Sequence, residues 1–246
     1  MNREPLRVFI GFDSREPIAW HVLAHSILSR SSIPVSLIPL HQGTLRSMGI
    51  YTRERGPTES TEFSLTRFLV PYLSGYWGTS IFMDSDMLCR VDIAELIAEV
   101  GRAAVKCMKE GKPEPTLYCC QHDYQPSEGV KFLGNVQTVY PRKNWSSFMV
   151  FRNAGCHALT PEYVNTASGL ELHRFKWLAD EFLCGLPLEW NWLVGEYPRS
   201  ETAKVLHWTL GGPWFLEHAN ADHATEWWEA RYRMMGSDTL VDEAVA

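Results

Sequence analysis

Short apolar runs of strand character alternate with helical periodicity along the first part of this chain, and that alternation restricts the fold more than any other feature. Leu6–Phe12, LRVFIGF, reads as a buried opening strand that reaches Gly11, and Asp13-Ser14-Arg15-Glu16-Pro17 forms a loop into a helix over Ile18–Leu28. Val35–Leu40 reads as a second strand after the turn-rich SRSSIP. Glu62–Leu73 carries a helical pattern through Phe63, Leu65, Phe68 and Leu69, with Arg67 set among them. Gly75 and Gly78 break that pattern, Thr79–Met83 is the next strand, and Asp92–Val100 reads as a helix with Asp92 near its start. Strands and helices taking turns at this pace predict an α/β fold: a mostly parallel central sheet flanked by helices on both faces.

The segment from Gly101 to Gln137 is less regular, interrupted by Pro113, Pro115 and Pro126, with only TLYCCQH of strand character. SSFMVF, Ser146–Phe151, is a strong strand between Asn144 and Asn153, while Pro161–Ala167 and Leu178–Leu183 are helical candidates. The chain from His218 is helical at first, then acidic and small. We expect one domain over residues 1–238 and a disordered tail over 239–246. With 45% hydrophobic and 21% charged residues in 246, the chain can bury a sizeable core and is globular. A net charge of −6 with no compensating Lys/Arg block excludes a general nucleic-acid binder. The apolar stretch after the first charged residues is too short for a signal peptide or a membrane span. The six cysteines form no C-x-x-C pair, which argues against zinc or redox motifs; free thiols in a reducing cytosol are the simplest account, so the expected location is cytoplasmic. Ten tryptophans exceed the needs of a core this size, and flat aromatic faces suit sugar rings as well as packing.

The strand Thr79–Met83 runs directly into Asp84-Ser85-Asp86. In extended backbone, residues i and i+2 point the same way about 7 Å apart, so the two carboxylates repel unless a cation or donors answer them. They can also simply end a strand and cap the next segment. Open α/β sheets bind ligands beyond the carboxyl ends of their strands, where GFDSREP also lies. Paired carboxylates suit Mg²⁺ or Mn²⁺, which keep places for water or phosphate oxygens. Late in the chain, His207-Trp208-Thr209-Leu210-Gly211-Gly212-Pro213-Trp214 offers an imidazole and two glycines whose amides can face an anion. An imidazole beside two carboxylates favours Mn²⁺ over Mg²⁺. GGPW also reads as an ordinary turn anchored by an aromatic. His21 and His25, at i and i+4 on a helix without a third ligand nearby, read as packed helix residues.

Taken in order, these blocks resemble a glycosyltransferase of the family 8 kind, with the nucleotide-sugar-binding fold called GT-A. The match runs from VFIGFDSREPIAWHVLAHSI to HWTLGGPW; its strongest part is SLTRFLVPYL followed by TSIFMDSDMLC, and LADEFLCGLPLEWNWL resembles the family's acidic donor-side helix and the asparagine segment after it. The resemblance implies a single GT-A-like domain whose donor-binding half is residues 1–100 and whose acceptor-side, closing half is 101–238. It implies that Asp13, with Gly11 and Arg15 beside it, contacts the nucleobase, usually uracil. Arg67 would reach the donor's sugar or phosphates. Asp84 and Asp86 would bind the metal, flanking Ser85, with His207 as third ligand. Gly211 and Gly212 would face the diphosphate. Asn144-Trp145-Ser146-Ser147 falls where the family has an asparagine-small-glycine element contacting the donor sugar, with different residues here.

Two further departures stand out. The family's H-x-x-G-x-x-K-P-W is one residue shorter here, with Gly212 directly before Pro213-Trp214, and its phosphate-gripping lysine is missing; Lys143 or Lys204 are the basic candidates to replace it. The D-Q-D-x-L-N pattern leaves two registers open, so both Asp180 and Glu181 are candidate catalytic carboxylates. The implied activity is transfer of a hexose from a nucleoside diphosphate sugar, with a UDP-sugar foremost, to a hydroxyl of a carbohydrate or other acceptor, with retention and with Mn²⁺ or Mg²⁺ as cofactor. Other classes remain open: a donor-binding protein without turnover, a sugar nucleotidyltransferase (against which GFDSREP has one glycine and no lysine), and an interaction protein whose acidic pair is incidental. The acceptor side is expected in residues 101–140 and around Trp208, Trp214, Trp227 and Trp228. Membrane contact has slight support from Arg231 and Arg233 beside Trp227 and Trp228.

Overall fold

The computed structural model describes residues 4–56, 59–123, 130–131, 135–136 and 142–236. The tail expected to be disordered, 239–246, and much of the expected acceptor region between 124 and 141 lie outside the described residues. The elements in chain order begin with β1 (Leu6–Phe12), α1 (Pro17–Leu28), β2 (Val35–His41) and α2 (Gln42–Ser47). Next come α3 (Val70–Leu73), β3 (Thr79–Met83), β4 (Met87–Cys89), α4 (Ala94–Lys109), β5 (Leu117–Cys120) and a ribbon of β6 (Val130–Lys131) and β7 (Asn135–Val136). The remainder is β8 (Phe148–Arg152), α5 (Pro161–Thr166), α6 (Gly169–His173), β9 (Leu183–Leu186), β10 (Trp192–Leu193), β11 (Val205–His207) and α7 (Ala224–Met234).

The central sheet has six strands in the order β2-β1-β3-β8-β5-β9. Only β8 runs against its neighbours, so the sheet is mixed and five of its strands share one direction. Period-two alternation sorts the strand residues between two cores. Val8, Ile10, Ile81 and Met83 face one side with Leu23 and Ile27 of α1, whereas Phe9, Phe82, Met149 and Phe151 face the other with Phe63, Phe68 and Leu69. A second sheet, β10-β11-β4, sits under a third core that includes Trp208 and Trp227.

Three sequence expectations change. The helix expected over Glu62–Leu73 is a 3-10 turn, Thr66–Leu69, followed by the short α3, because Pro71 has no amide hydrogen to bond the Arg67 carbonyl four residues back. The helix expected over Leu178–Leu183 is a 3-10 turn, Asp180–Phe182, entering β9; the apolar LCGL pairs with β5 and Pro187 follows it. Cys107 and Cys184 form a disulfide where free thiols were expected, since α4 packs over β9 and brings their Cα atoms to 6.8 Å; Cys89, Cys119, Cys120 and Cys156 are buried free thiols. Among the described residues, no helix is long and apolar enough to cross a membrane.

Candidate active site

The turn Asp84-Ser85-Asp86 leaves the carboxyl end of β3, and its first amide donates to the Ser147 carbonyl at 2.9 Å, which ties it to the start of β8. The chain then enters β4, which pairs antiparallel with β11 so that Met87 lies opposite His207 and Cys89 opposite Val205. The Trp208 amide donates to the Asp86 carbonyl at 2.9 Å and closes the ladder. Two short strands thus bring an imidazole from far along the sequence to the acidic turn. One ligand atom each from Asp84, Asp86 and His207 lies within 4.8 Å of the others, and His207 Nε2 is 3.3 Å from Asp86 Oδ1. His207 is buried, while the two aspartates are half-buried.

The first carboxylate is held by Arg67, whose Nη1 is 2.8 Å from Asp84 Oδ1 and donates to the Ser146 carbonyl at 2.9 Å. The guanidinium sits over the Phe63 ring at 5.4 Å and the Phe82 ring at 4.9 Å. Arg67 is therefore a buried clamp on Asp84, set beneath the site. The Ser146 hydroxyl bonds His173 Nδ1 at 2.7 Å, and burial, with Arg67 nearby, pushes the His173 imidazole down to about 3.

Asp13, at the end of β1, is fully engaged. Its Oδ1 accepts from the Arg15 amide at 3.0 Å and Nε at 2.8 Å, and its Oδ2 accepts from Arg15 Nη2 at 2.5 Å and the Glu62 amide at 3.1 Å. Burial pushes this carboxyl up, but those donors outweigh it and leave it below the usual carboxylate range. Arg15 also donates to the Ser60 carbonyl at 2.7 Å, so Asp13 presents Arg15 to its surroundings. Behind them, Glu16 is buried. Burial, with the charges of Asp86 and Asp13 adding to it, pushes its carboxyl up to about 8.

That shift has a consequence for stability. A solvated glutamate loses its proton near 4.5, whereas folded Glu16 keeps it to about 8. Between those values the native state binds more protons than the unfolded chain, so stability falls as pH rises, by up to about 1.4 kcal/mol per pH unit. Glu16→Gln is expected to flatten this slope, measured as denaturation midpoints at pH 5, 6.5 and 8 without divalent ions. Equal slopes in both proteins would contradict the placement of Glu16.

Other expected residues fare differently. Gly11 lets β1 pass under Phe63, since a Cβ there would come within 2.4 Å of that ring. Ser85 is buried inside the acidic turn. Gly211 has φ of 143° and its amide donates to the Trp208 carbonyl at 2.9 Å, so that amide serves a turn instead of an anion; a Cβ on Gly212 would sit 2.0 Å from the Trp214 ring. Trp208 and Trp227 are fully packed core residues, which removes them from an acceptor surface. Lys204 is paired with Glu95 at 2.6 Å and lies over the Trp190 ring, while Lys143 is buried beside Asn144. His21 is exposed, and His25 lines a surface cavity with Ser29, Arg30 and Arg233.

Asp180 and Glu181 enter β9 at its amino end. Phe182 is level with Thr116, Arg152 and Thr79, at the edge of the sheet opposite to that where Asp84 leaves β3. The Asp180 carboxylate is gripped by Arg142 Nη2, 2.6 Å from both oxygens, and Arg142 Nη1 donates to the Arg174 carbonyl at 2.9 Å. The Arg142 guanidinium lies over the Trp145 ring at 5.4 Å, next in sequence to Ser146 of the Arg67 clamp. Sequence reading missed Glu16, His173, Asn191 and His122. Only Asn191 carried any signal, through the asparagine segment LEWNWL.

No family model matches the chain. Protein CDI of Arabidopsis thaliana is 46% identical over 234 residues, covering 92% of this chain and 86% of that protein. The chain belongs to the Protein CDI family. Solved structures relate this family's fold to known sugar transferases. The glycosyltransferase GlyE of Streptococcus pneumoniae TIGR4 superposes with a TM-score of 0.57 at 13% identity, covering 93% of this chain and 60% of that chain. The bifunctional WbbM gives 0.55 at 14% identity, covering 95% of this chain and 51% of that one. The galactosyltransferase LgtC, in complex with donor and acceptor sugar analogs, gives 0.53 at 10% identity, covering 97% of this chain and 98% of that one. The chain thus spans about half of the WbbM chain and three-fifths of the GlyE chain. At such identities the likeness establishes the fold: this Protein CDI family member has a GT-A-like architecture.

Proposed function

We propose that this protein is a metal-dependent glycosyltransferase akin to family 8, which moves a hexose from a nucleoside diphosphate sugar, a UDP-sugar first among candidates, to an acceptor hydroxyl with retention. The observation that carries the reading is the convergence of Asp84, Asp86 and His207 at the carboxyl end of β3 in a GT-A-like sheet. Two carboxylates and one imidazole form a donor set that fits Mn²⁺, and Mg²⁺ less well. A cation held there would neutralise charge on a departing diphosphate.

The chain's own residues have distinct parts in this reading. Arg67 pairs with Asp84 and holds its carboxylate at the site. Asp13 acts on the nucleobase end through Arg15, whose guanidinium it fixes. Ser146, bonded to His173, borders the Arg67 clamp and is the wall nearest to where a donor sugar would lie. Retention by same-face attack needs no protein nucleophile, because an oxygen of the leaving diphosphate accepts the acceptor's proton as the new glycosidic bond forms. That route is favoured over a covalent intermediate on Asp180 or Glu181, because both Asp180 oxygens are already gripped by Arg142. Binding of a donor without turnover is the second reading, favoured by the missing lysine before Pro213 and by the Arg142–Asp180 pair.

A thermal-shift screen of nucleoside diphosphate sugars with and without Mn²⁺ tests both. At a hundredfold excess over Kd, one donor is expected to raise Tm by about 5 °C or more, only with metal present. Release of free nucleotide from that donor then separates transfer or hydrolysis from binding alone. A set of donors that all leave Tm unmoved would contradict both readings.

A further inference from the structure

Asn191 is fully buried, and its neighbours dictate which way its amide points. Its Nδ2 lies 2.9 Å from Ser147 Oγ, 3.4 Å from the Asn144 carbonyl and 3.0 Å from His122 Nε2. Ser147 donates its own hydroxyl proton to that Asn144 carbonyl at 2.7 Å, so both oxygens can only accept from Asn191. The NH₂ group therefore faces them, and Oδ1 faces His207 Nδ1 at 2.9 Å. An amide oxygen accepts only, which requires a proton on His207 Nδ1. The other ring nitrogen, Nε2, then faces Asp86 Oδ1 at 3.3 Å. A lone pair and a carboxylate oxygen meet there only around a cation or a proton. The same bookkeeping extends outward: His122 Nε2 accepts from Asn191, so His122 carries its proton on Nδ1 and donates to the Tyr197 hydroxyl at 2.9 Å. Burial pushes the His122 imidazole down to about 3, which keeps the ring neutral and able to accept.

We propose that Asn191, backed by His122, is a positioning residue that fixes His207 in the Nδ1–H tautomer and aims its Nε2 lone pair at a divalent cation shared with Asp84 and Asp86. The cation rests on the metal-dependent reading above, whereas the tautomer follows from the hydrogen bonds alone. Outer partners of a metal-bound histidine commonly change metal affinity by about 10–100-fold when removed. His122 acts at one remove, by holding the amide that holds the ring.

Two measurements on the 246-residue chain separate these parts. Long-range ¹⁵N–¹H spectra at pH 8.5 of histidine-labelled, metal-free protein, with His207→Ala for assignment, are expected to show His207 protonated on Nδ1. Asn191→Ala should turn this into a mixture of tautomers. Titration of Mn²⁺ followed by electron paramagnetic resonance should show affinity about 10–100-fold weaker in Asn191→Ala and several-fold weaker in His122→Phe. His122→Gln, whose amide oxygen accepts from Asn191, should restore affinity to within about threefold. His122→Phe carries the test if Asn191→Ala does not fold. Wild-type His207 protonated on Nε2, or Mn²⁺ affinity unchanged in both weakened variants, would overturn the proposal. A locked Nδ1–H tautomer in a wild-type protein that binds no Mn²⁺ would overturn the cation and leave the tautomer lock standing.

Discussion

Asp86→Ala is expected to reduce glycosyl transfer by on the order of 10³-fold in kcat/KM while leaving the fold intact. Its carboxylate meets His207 and shares the acidic turn with Asp84, so its loss removes one of two carboxylate ligands and the group that faces the imidazole. The backbone contact that shapes the turn, from the Trp208 amide to the Asp86 carbonyl, survives the substitution. In metal-free protein the change also relieves repulsion with Asp84, so a melting temperature at or slightly above that of the wild type is expected. The check is consumption of the donor found in the screen, together with a thermal melt of the same sample. Near-normal turnover in a folded Asp86→Ala protein would remove the metal from the account.

Arg67→Met is expected to be the most destabilising single change in the site, by about 3–5 kcal/mol. Arg67 and Asp84 are an inner pair, with only 7% and 15% of their side chains exposed, so removing the guanidinium strands the carboxylate beside Asp86. It also leaves the Ser146 carbonyl without its Arg67 donor and removes the cation from over the Phe63 and Phe82 rings. The double variant Arg67→Met/Asp84→Asn is expected to recover part of the loss, because the stranded charge is then gone. Urea denaturation of the two single variants and the double measures this coupling. A loss under about 1 kcal/mol for Arg67→Met would mean that the clamp is not what holds Asp84.

The fold was legible where a segment's own residues decide it. LRVFIGF and TSIFM are apolar runs bounded by polar turns, and both are strands of the central sheet. Reading failed where tertiary partners overrule local pattern. The end of the helix expected over Leu178–Leu183 is taken up instead by pairing with β5. The reversal of β8 was not legible either, because direction in a sheet is set by pairing partners and not by the strand's own composition. At the site, Asp84, Asp86 and His207 could be named from motif and order, and the β4–β11 pairing brings them together. His122 could not, and Asn191 was marked only as part of the asparagine segment LEWNWL, with no role attached. They are 69 residues apart and neither sits in a motif with metal-ligand spacing, so only the folded chain makes them neighbours. The tryptophan count pointed to a sugar-binding surface, yet Trp190, Trp208 and Trp227 are interior residues.

Anomalous diffraction from crystals grown with MnCl₂ and a nucleoside diphosphate is the most direct measurement of the central claim. One manganese peak is expected, bonded at about 2.0–2.3 Å to carboxylate oxygens of the acidic turn and to His207 Nε2. A peak held by other residues, or His207 turned away from it, would contradict the account.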